Sequence, residues 1–401
     1  MAYITFYFQI HQPRRLNEVD PIDLGRHYHE NLEKTYFNDE LNSLVFNRVA
    51  DKCYFPATEL LLASVERLKN TRNPFKISFS LSGAFLDQCV MFRPELLTLF
   101  RQLADTECVD FLCETYYHSL ASLYENKSEF REQVMMHREK IEEFLGIKPV
   151  VFRNTELLYN NTIAREVADM GFRAILTEGL PHILGWRSPD YVYKAKGSDI
   201  KLLLRNYSVS DEVGYRFTHK VITADDFASW LAKITGETCN IFIDYETFGE
   251  HQWQETGILE FLQFLPDAIL KYPQLSFATP GEVAAACPAN DEIDVDERGT
   301  ISWADMERDS SAWLGNDIQK AAFGAVKNME SLVKKTENEQ FIRIWRNLQT
   351  SDHLYFMCNK WLADGEIHGY FSHYNSIWKA MGNFFAVLCD FHNAVNYKLN
   401  Q

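Results

Sequence analysis

Residues 240–251 read NIFIDYETFGEH, an apolar run that stops at Asp244 and continues as a polar, glycine-containing stretch. Side chains alternate along a strand, so Phe242 and Asp244 share one side, with Ile241, Ile243 and Tyr245 on the other. Amphipathic stretches flank this run at 224–234 and 258–271. The same alternation recurs outward in both directions. Short apolar runs at 3–10, 76–81, 109–112, 150–152, 174–177, 201–205 and 275–278 read as strands, and helical patterns at 59–69, 95–104, 127–145 and 161–170 lie between several of them. Strand, helix, strand repeated in this way makes parallel βα units, and this many units favour a closed or nearly closed α/β barrel over an open sheet.

The character changes after Cys287. PANDEIDVDERGT, 288–300, is polar, acidic and irregular and reads as a connection. Helical patterns follow at 317–335, 338–350, 351–363 and 374–397, with no further strand signal. The expected organisation is a barrel over 1–290 and a helical region over 291–401 packed on it.

Composition narrows the partners. Forty Lys and Arg against 56 Asp and Glu give a formal charge of −16, which repels phosphate backbones and anionic membranes. No nucleic-acid or membrane partner is expected; the oligomeric state is left open. Twenty-nine Phe, 19 Tyr and 8 Trp leave aromatic rings available for sugars beside those in the core. The eight cysteines form no CxxC pair and read as buried hydrophobes of a reducing compartment. The first residues, MAYITFYFQIHQPRRL, lack a basic segment ahead of their apolar run, so no signal peptide is expected and a cytoplasmic location is. No stretch approaches the length of a membrane span. His27 and His29, two apart, are a poor metal signature.

In a βα barrel, chemistry sits where strands end. The first strand ends in His11-Gln12-Pro13, the third leads into Glu114 and His118, the fourth into Arg153-Asn154-Thr155-Glu156, and the seventh ends at Asp244-Tyr245-Glu246 before Gly249-Glu250-His251. A single strand-end carboxylate often only caps the next helix. Four such ends converging on one face point to a site. Two carboxylates facing one cavity suit glycosidic-bond chemistry, in which one is ionised for attack and the other protonated to assist departure. Arg153 could keep a carboxylate ionised, and apolar neighbours would raise Asp244. Glu246 shares the side of Asp244 if the strand continues, and is the alternative acid; Glu250 is another.

Five segments resemble glycoside hydrolase family 57, the retaining α-glucan-active enzymes. They are His11-Gln12-Pro13, FLCETYYHSL with Glu114 and His118, FRNTELLYNN with Glu156, IDYETFGEHQW with Asp244, and the looser Ser351-Asp352-His353. SWADMERDSSAWLGN, 302–316, resembles a stretch of the α-amylase-like members. The resemblance implies an incomplete (β/α)7 barrel with parallel strands, followed by a helical region that adds to the active site. It makes Glu156 the nucleophile and Asp244 the general acid/base. His11, Gln12, Glu114, His118, Arg153, His251, Trp253, Trp303, Asp305, Trp313, Asp352 and His353 become candidate sugar contacts, with no metal and no cofactor. Arg153 stands where the family commonly has Trp, and Tyr245 where it commonly has Gly. Both changes fit the α-amylase-like subgroup better than the glucanotransferases.

Trp303 and Trp313 flank acidic residues, which suits sugar stacking; Trp345 and Trp361 lie in helical patterns and read as core. The leading expectation is an α-amylase-type hydrolase of starch, glycogen or maltodextrin, working through a covalent glucosyl-enzyme. A 4-α-glucanotransferase or branching enzyme would share the fold. A metal-dependent carbohydrate deacetylase needs converging ligands that this sequence does not assemble, and a non-catalytic glucan binder would not need both carboxylates.

Overall fold

The computed structural model describes residues 1–19, 25, 31–220 and 222–401. His27 and His29 lie outside the described residues. In chain order the strands are β1 (Ala2–Ile10), β2 (Ile77–Leu81), β3 (Val109–Phe111), β4 (Val151–Arg153), β5 (Ala174–Glu178), β6 (Val192–Ala195), β7 (Lys201–Arg205), β8 (Thr238–Asp244), β9 (Leu275–Phe277) and β10 (Glu292–Ile293).

Seven of these form a parallel ring. β1 lies between β2 and β8, β2 pairs with β3, β4 with β5, and β5 with β7. Two seams are thin. β7 meets β8 only at Arg205 opposite Asn240. β3 and β4 are joined through Cys113, whose N–H donates to the Val151 carbonyl at 3.0 Å and whose carbonyl accepts from the Arg153 N–H at 2.8 Å. These seams make the (β/α)7 barrel incomplete. The register sets Gln9 beside both Ser80 and Asp244, so the strands deliver their last residues to one end of the ring.

The alternation read from residues 240–251 holds. Phe242 meets Tyr7 edge-on, ring centroids 5.5 Å apart, in the cluster that fills the lumen with Leu112, Leu176 and Leu203. Ile241, Ile243 and Tyr245 pack outward among the helices that wrap β1 and β2.

Two strands were not expected. β6 pairs antiparallel with β7, and β10 pairs with β6. β10 falls in the polar stretch after Cys287. That stretch hides two apolar positions, Ile293 and Val295, and Ile301 follows it; all three pack in one cluster with Ile163 and Phe172 on the outer wall.

The C-terminal part is helical, with its own core of Phe341, Ile344, Trp345, Val387 and Phe391. The expected 317–335 helix divides into Asp317–Asn328 and Glu330–Lys334, and 351–363 shortens to Ser351–Tyr355, with Leu362–Phe371 following. Trp345 is fully buried as expected, but Trp361 is 83% exposed and is not core. No described helix is long and apolar enough to cross a membrane.

Candidate active site

β4 ends at Arg153, and three residues later Glu156 adopts the left-handed conformation, φ 56° and ψ 28°. A non-glycine residue keeps this only when its surroundings hold it. Here both carboxylate oxygens are held. Trp303 Nε1–H donates to Oε2 at 2.6 Å and His118 Nε2–H donates to Oε1 at 3.2 Å. The Trp303 backbone N–H also donates to the Glu156 carbonyl at 3.3 Å.

His118 is itself left-handed, φ 51°, and its Nδ1–H donates to Glu114 Oε2 at 2.7 Å. Glu114 is fully buried and also accepts from Gln9 Nε2 and Ser80 Oγ. Burial alone would raise the Glu114 carboxyl, but the His118 charge and hydrogen bond, with Arg153 and His137, overcome it and hold the group at about 2. Burial would likewise lower His118, but Glu114 and Glu156 raise it to about 9, so it is a cation at neutral pH. Glu156 shows the same contest. Burial pushes up, while His118, Arg153 and the Trp303 N–H prevail, and the net shift is downward.

Asp244, at the end of β8, is pulled the other way. Burial and the neighbouring Glu156 charge raise it to about 6, against Arg153, Arg205 and His118. Past Asp244 the chain leaves the strand for a short turn, Tyr245–Thr247. Glu246 there accepts from the Tyr54 hydroxyl at 2.6 Å, and that hydroxyl accepts from Gln12 Nε2 at 3.1 Å. Burial and the Asp244 charge push Glu246 up to about 8. Glu250 turns away to Arg48, 2.8 Å distant.

The helical part closes the mouth. Asp352, from Ser351–Tyr355, lies 3.0 Å from His11 Nε2. Burial and the charge of His118 lower His11, whereas burial raises Asp352 and is overcome by His11 and His118, leaving it an anion. A neutral His11 therefore donates from Nε2 to Asp352 and accepts at Nδ1 from the Ser82 hydroxyl, 2.7 Å away.

Of the expected contacts, His11, Gln12, Glu114, His118, Arg153, Trp303 and Asp352 gather round Glu156 and Asp244. Arg153 is fully buried, its guanidinium 5.0 Å from the Trp303 ring centroid and 3.9 Å from Glu114; none of its three side-chain nitrogens has a hydrogen-bond partner among the described residues. His251 sits beside Tyr370 and Phe371, and Trp253 is 63% exposed near Lys52. Asp305 is engaged by Lys360 at 2.7 Å and His368 at 3.1 Å. Its carboxylate comes near those of Glu307 and Asp364, but Lys360 already bridges Asp305 and Glu307.

Trp313 and His353 depart from expectation. Trp313 is 1% exposed against Tyr355, and His353 is 3% exposed against Phe384. Both are interior rings without a free face for a sugar, because the helices on either side close over them.

Residues that the sequence reading passed over also build the site. Tyr54 and Ser82 orient Glu246 and His11. Glu178, Arg205, Asp211 and Arg308 form an ionic cluster tied to β8 through Arg205, whose Nε–H donates to the Phe242 carbonyl. A strand-end signal exists for Glu178 and Arg205, since each is the last residue of its strand; the other two carry none.

A family model described as glycosyl hydrolase family 57 matches residues 5–296. A protein of Methanocaldococcus jannaschii named "Putative alpha-amylase" is 44% identical, over 97% of this chain and 84% of its own length. Among solved structures, a GH57 branching enzyme from Thermococcus kodakaraensis superposes with a TM-score of 0.73 at 14% identity, over 100% of this chain and 91% of its own. The alpha-amylase AmyC from Thermotoga maritima gives a TM-score of 0.60 at 12% identity, over 99% and 96%. At these identities the two structures speak for the fold, whereas the family match takes in β2 to β10 and most of β1, with both strand-end carboxylates: the chain belongs to glycoside hydrolase family 57.

Proposed function

We propose that this protein is a retaining α-glucan hydrolase of the α-amylase type, with Glu156 as nucleophile and Asp244 as general acid/base. The observation that carries the assignment is the opposite electrostatic treatment of the two carboxylates. Glu156 is lowered by its polar and charged partners, and Asp244 is raised to about 6 by burial and by Glu156 itself. Groups whose surroundings push their pKa values apart divide the nucleophile and acid roles.

In the first step Glu156 forms a bond to the anomeric carbon, the glycosidic C–O bond breaks, and the Asp244 proton passes to the leaving oxygen. In the second, water attacks the same carbon, its proton goes to Asp244, and the Glu156 ester bond breaks, regenerating both groups. His118 and Trp303 keep Glu156 ionised and aimed; Glu114 and Arg153, both fully buried, support them from behind, and His11, Gln12 and Asp352 bind the sugar at the scissile bond. Trp253 and His251 meet sugars further out. The α-amylase name of the 44% identical relative supports an α-1,4-linked substrate.

Incubation with a maltooligosaccharide series tests the function. New reducing ends and shorter products are expected. Longer or branched products without a gain in reducing ends would mean that a sugar hydroxyl intercepts the intermediate, and no reaction at all would overturn the assignment.

A further inference from the structure

Glu178 at the end of β5 and Asp211 in the helix Tyr207–Gly214 are both buried, with side chains 0% and 8% exposed. Two anions this poorly hydrated require two cations. Arg205 supplies one, bonding Glu178 Oε2 at 3.0 Å and Asp211 Oδ1 at 2.6 Å. Arg308 supplies the other, bonding Glu178 Oε2 at 2.6 Å and Asp211 Oδ2 at 3.0 Å, with its guanidinium 4.6 Å from the Tyr207 ring centroid. Arg205 Nε–H also donates to the Phe242 carbonyl at 2.9 Å, two residues before Asp244.

Arg308 belongs to the loop that carries Trp303. That loop folds back on itself. The Ser302 N–H donates to the Arg308 carbonyl at 2.9 Å, and Ser302 Oγ–H donates to the Asp309 carbonyl at 2.7 Å. Asp305 and Arg308 both adopt positive φ, 57° and 52°, a conformation that non-glycine residues keep only when held. An unbroken path thus runs from the Glu178–Asp211 pair through the Arg308 side chain and carbonyl to Ser302, and from Trp303 to the Glu156 carboxylate.

We infer that Arg308 is a positioning residue for Glu156: its fork fastens the 302–309 loop to the barrel so that Trp303 presents its indole N–H to the carboxylate. The consequence for catalysis rests on the nucleophile role proposed for Glu156. Without the fork, two buried carboxylates share one guanidinium, the loop loses its anchor on the Glu178–Asp211 pair while keeping Lys360 and His368 on Asp305, and the indole bond to Glu156 weakens. That bond favours the ionised form, so its loss raises Glu156 and moves the acid limb of kcat/KM to higher pH.

The test compares Arg308→Met, Trp303→Phe and the double variant in the full chain. Each single variant is expected to move the acid limb upward and to lower kcat/KM by about tenfold, the scale of one hydrogen bond to a charged group. The double variant is expected to do little more than Trp303→Phe, because both act through one bond. The indole N–H resonance of Trp303, assigned by its disappearance in Trp303→Phe, reads the same bond without turnover and is expected to move upfield in Arg308→Met. If Arg308→Met does not fold, Arg308→Lys keeps the charge but cannot span both carboxylates, and the same two readouts apply. An unmoved indole resonance, or limb shifts that add in full, overturns the inference. A wild-type protein without glucan turnover would instead overturn the role of Glu156, while the resonance would still report whether Arg308 holds Trp303.

Discussion

The imidazole rings of His11 and His118 stack with centroids 4.0 Å apart and planes 15° apart, yet each is committed to different carboxylates. His118 lies between Glu114 and Glu156, and His11 reaches Asp352 from the helical region. Two stacked cations would repel, so one ring carries the charge and the other is neutral. The carboxylates on His118 raise it to about 9, and its charge in turn lowers His11.

Replacing His118 with Gln should therefore act in two directions. Glu156 loses a charged donor, so its pKa rises and the acid limb of the pH–rate profile moves upward. His11 loses a neighbouring positive charge, so its own pKa also rises. The pH profile reads the first effect and NMR titration of the His11 ring reads the second. A His11 titration unchanged by the substitution would contradict the assigned charges.

The alkaline limb belongs to Asp244, which must be protonated to assist departure. In the free enzyme that limb should fall near its value of about 6. Glu156→Gln removes an anion that opposes ionisation of Asp244, so the Asp244 pKa should drop toward the ordinary aspartate range. Glu246, raised to about 8, is still neutral when Asp244 titrates, so Glu246→Gln should move that limb little. Carboxyl-carbon NMR titration of the variants measures both shifts; a large downward shift of Asp244 in Glu246→Gln would show that Glu246 is charged.

The helical region should be indispensable. Trp303 and Asp352, which bond Glu156 and His11, both lie beyond Ala289. A chain ending at Ala289 is expected to lose activity on maltooligosaccharides, and in the full chain Asp352→Asn should cost about tenfold or more in kcat/KM through the weakened bond to His11. A folded, fully active truncated chain would refute this.

The local chemistry of the site was legible because its residues end strands or sit in short motifs. Asp244 closes an apolar run, Glu156 follows one at a fixed spacing, and alternation told Phe242 from Ile243. What was not legible depends on contacts between distant segments. Nothing in the immediate sequence of Arg308 announces Glu178, which lies 130 residues away. Trp303 and Trp313 sit in equally polar surroundings along the chain, yet one bonds the carboxylate while neighbouring helices bury the other. Trp361 lies in a helical pattern but at the exposed start of Leu362–Phe371, where no described element covers it. β6 and β10 escaped because they lie in polar stretches, 187–199 and 290–299, whose charged residues mask Val192, Ala195 and Ile293.

The division of labour between Glu156 and Asp244 is tested most directly by azide rescue on an α-glucosyl substrate with a good leaving group. Glu156→Ala should lose several orders of magnitude in activity. Azide should then fill the vacated space, attack the opposite face and give the inverted glycosyl azide. Asp244→Ala should still form the glycosyl-enzyme, because such a leaving group needs little protonation, and azide should release it as the retained product. The measurement is the anomeric configuration of the azide adduct from each variant: inverted from Glu156→Ala and retained from Asp244→Ala supports the account, and the swapped pair, or retained product from Glu246→Ala with Asp244→Ala fully active on starch, contradicts it.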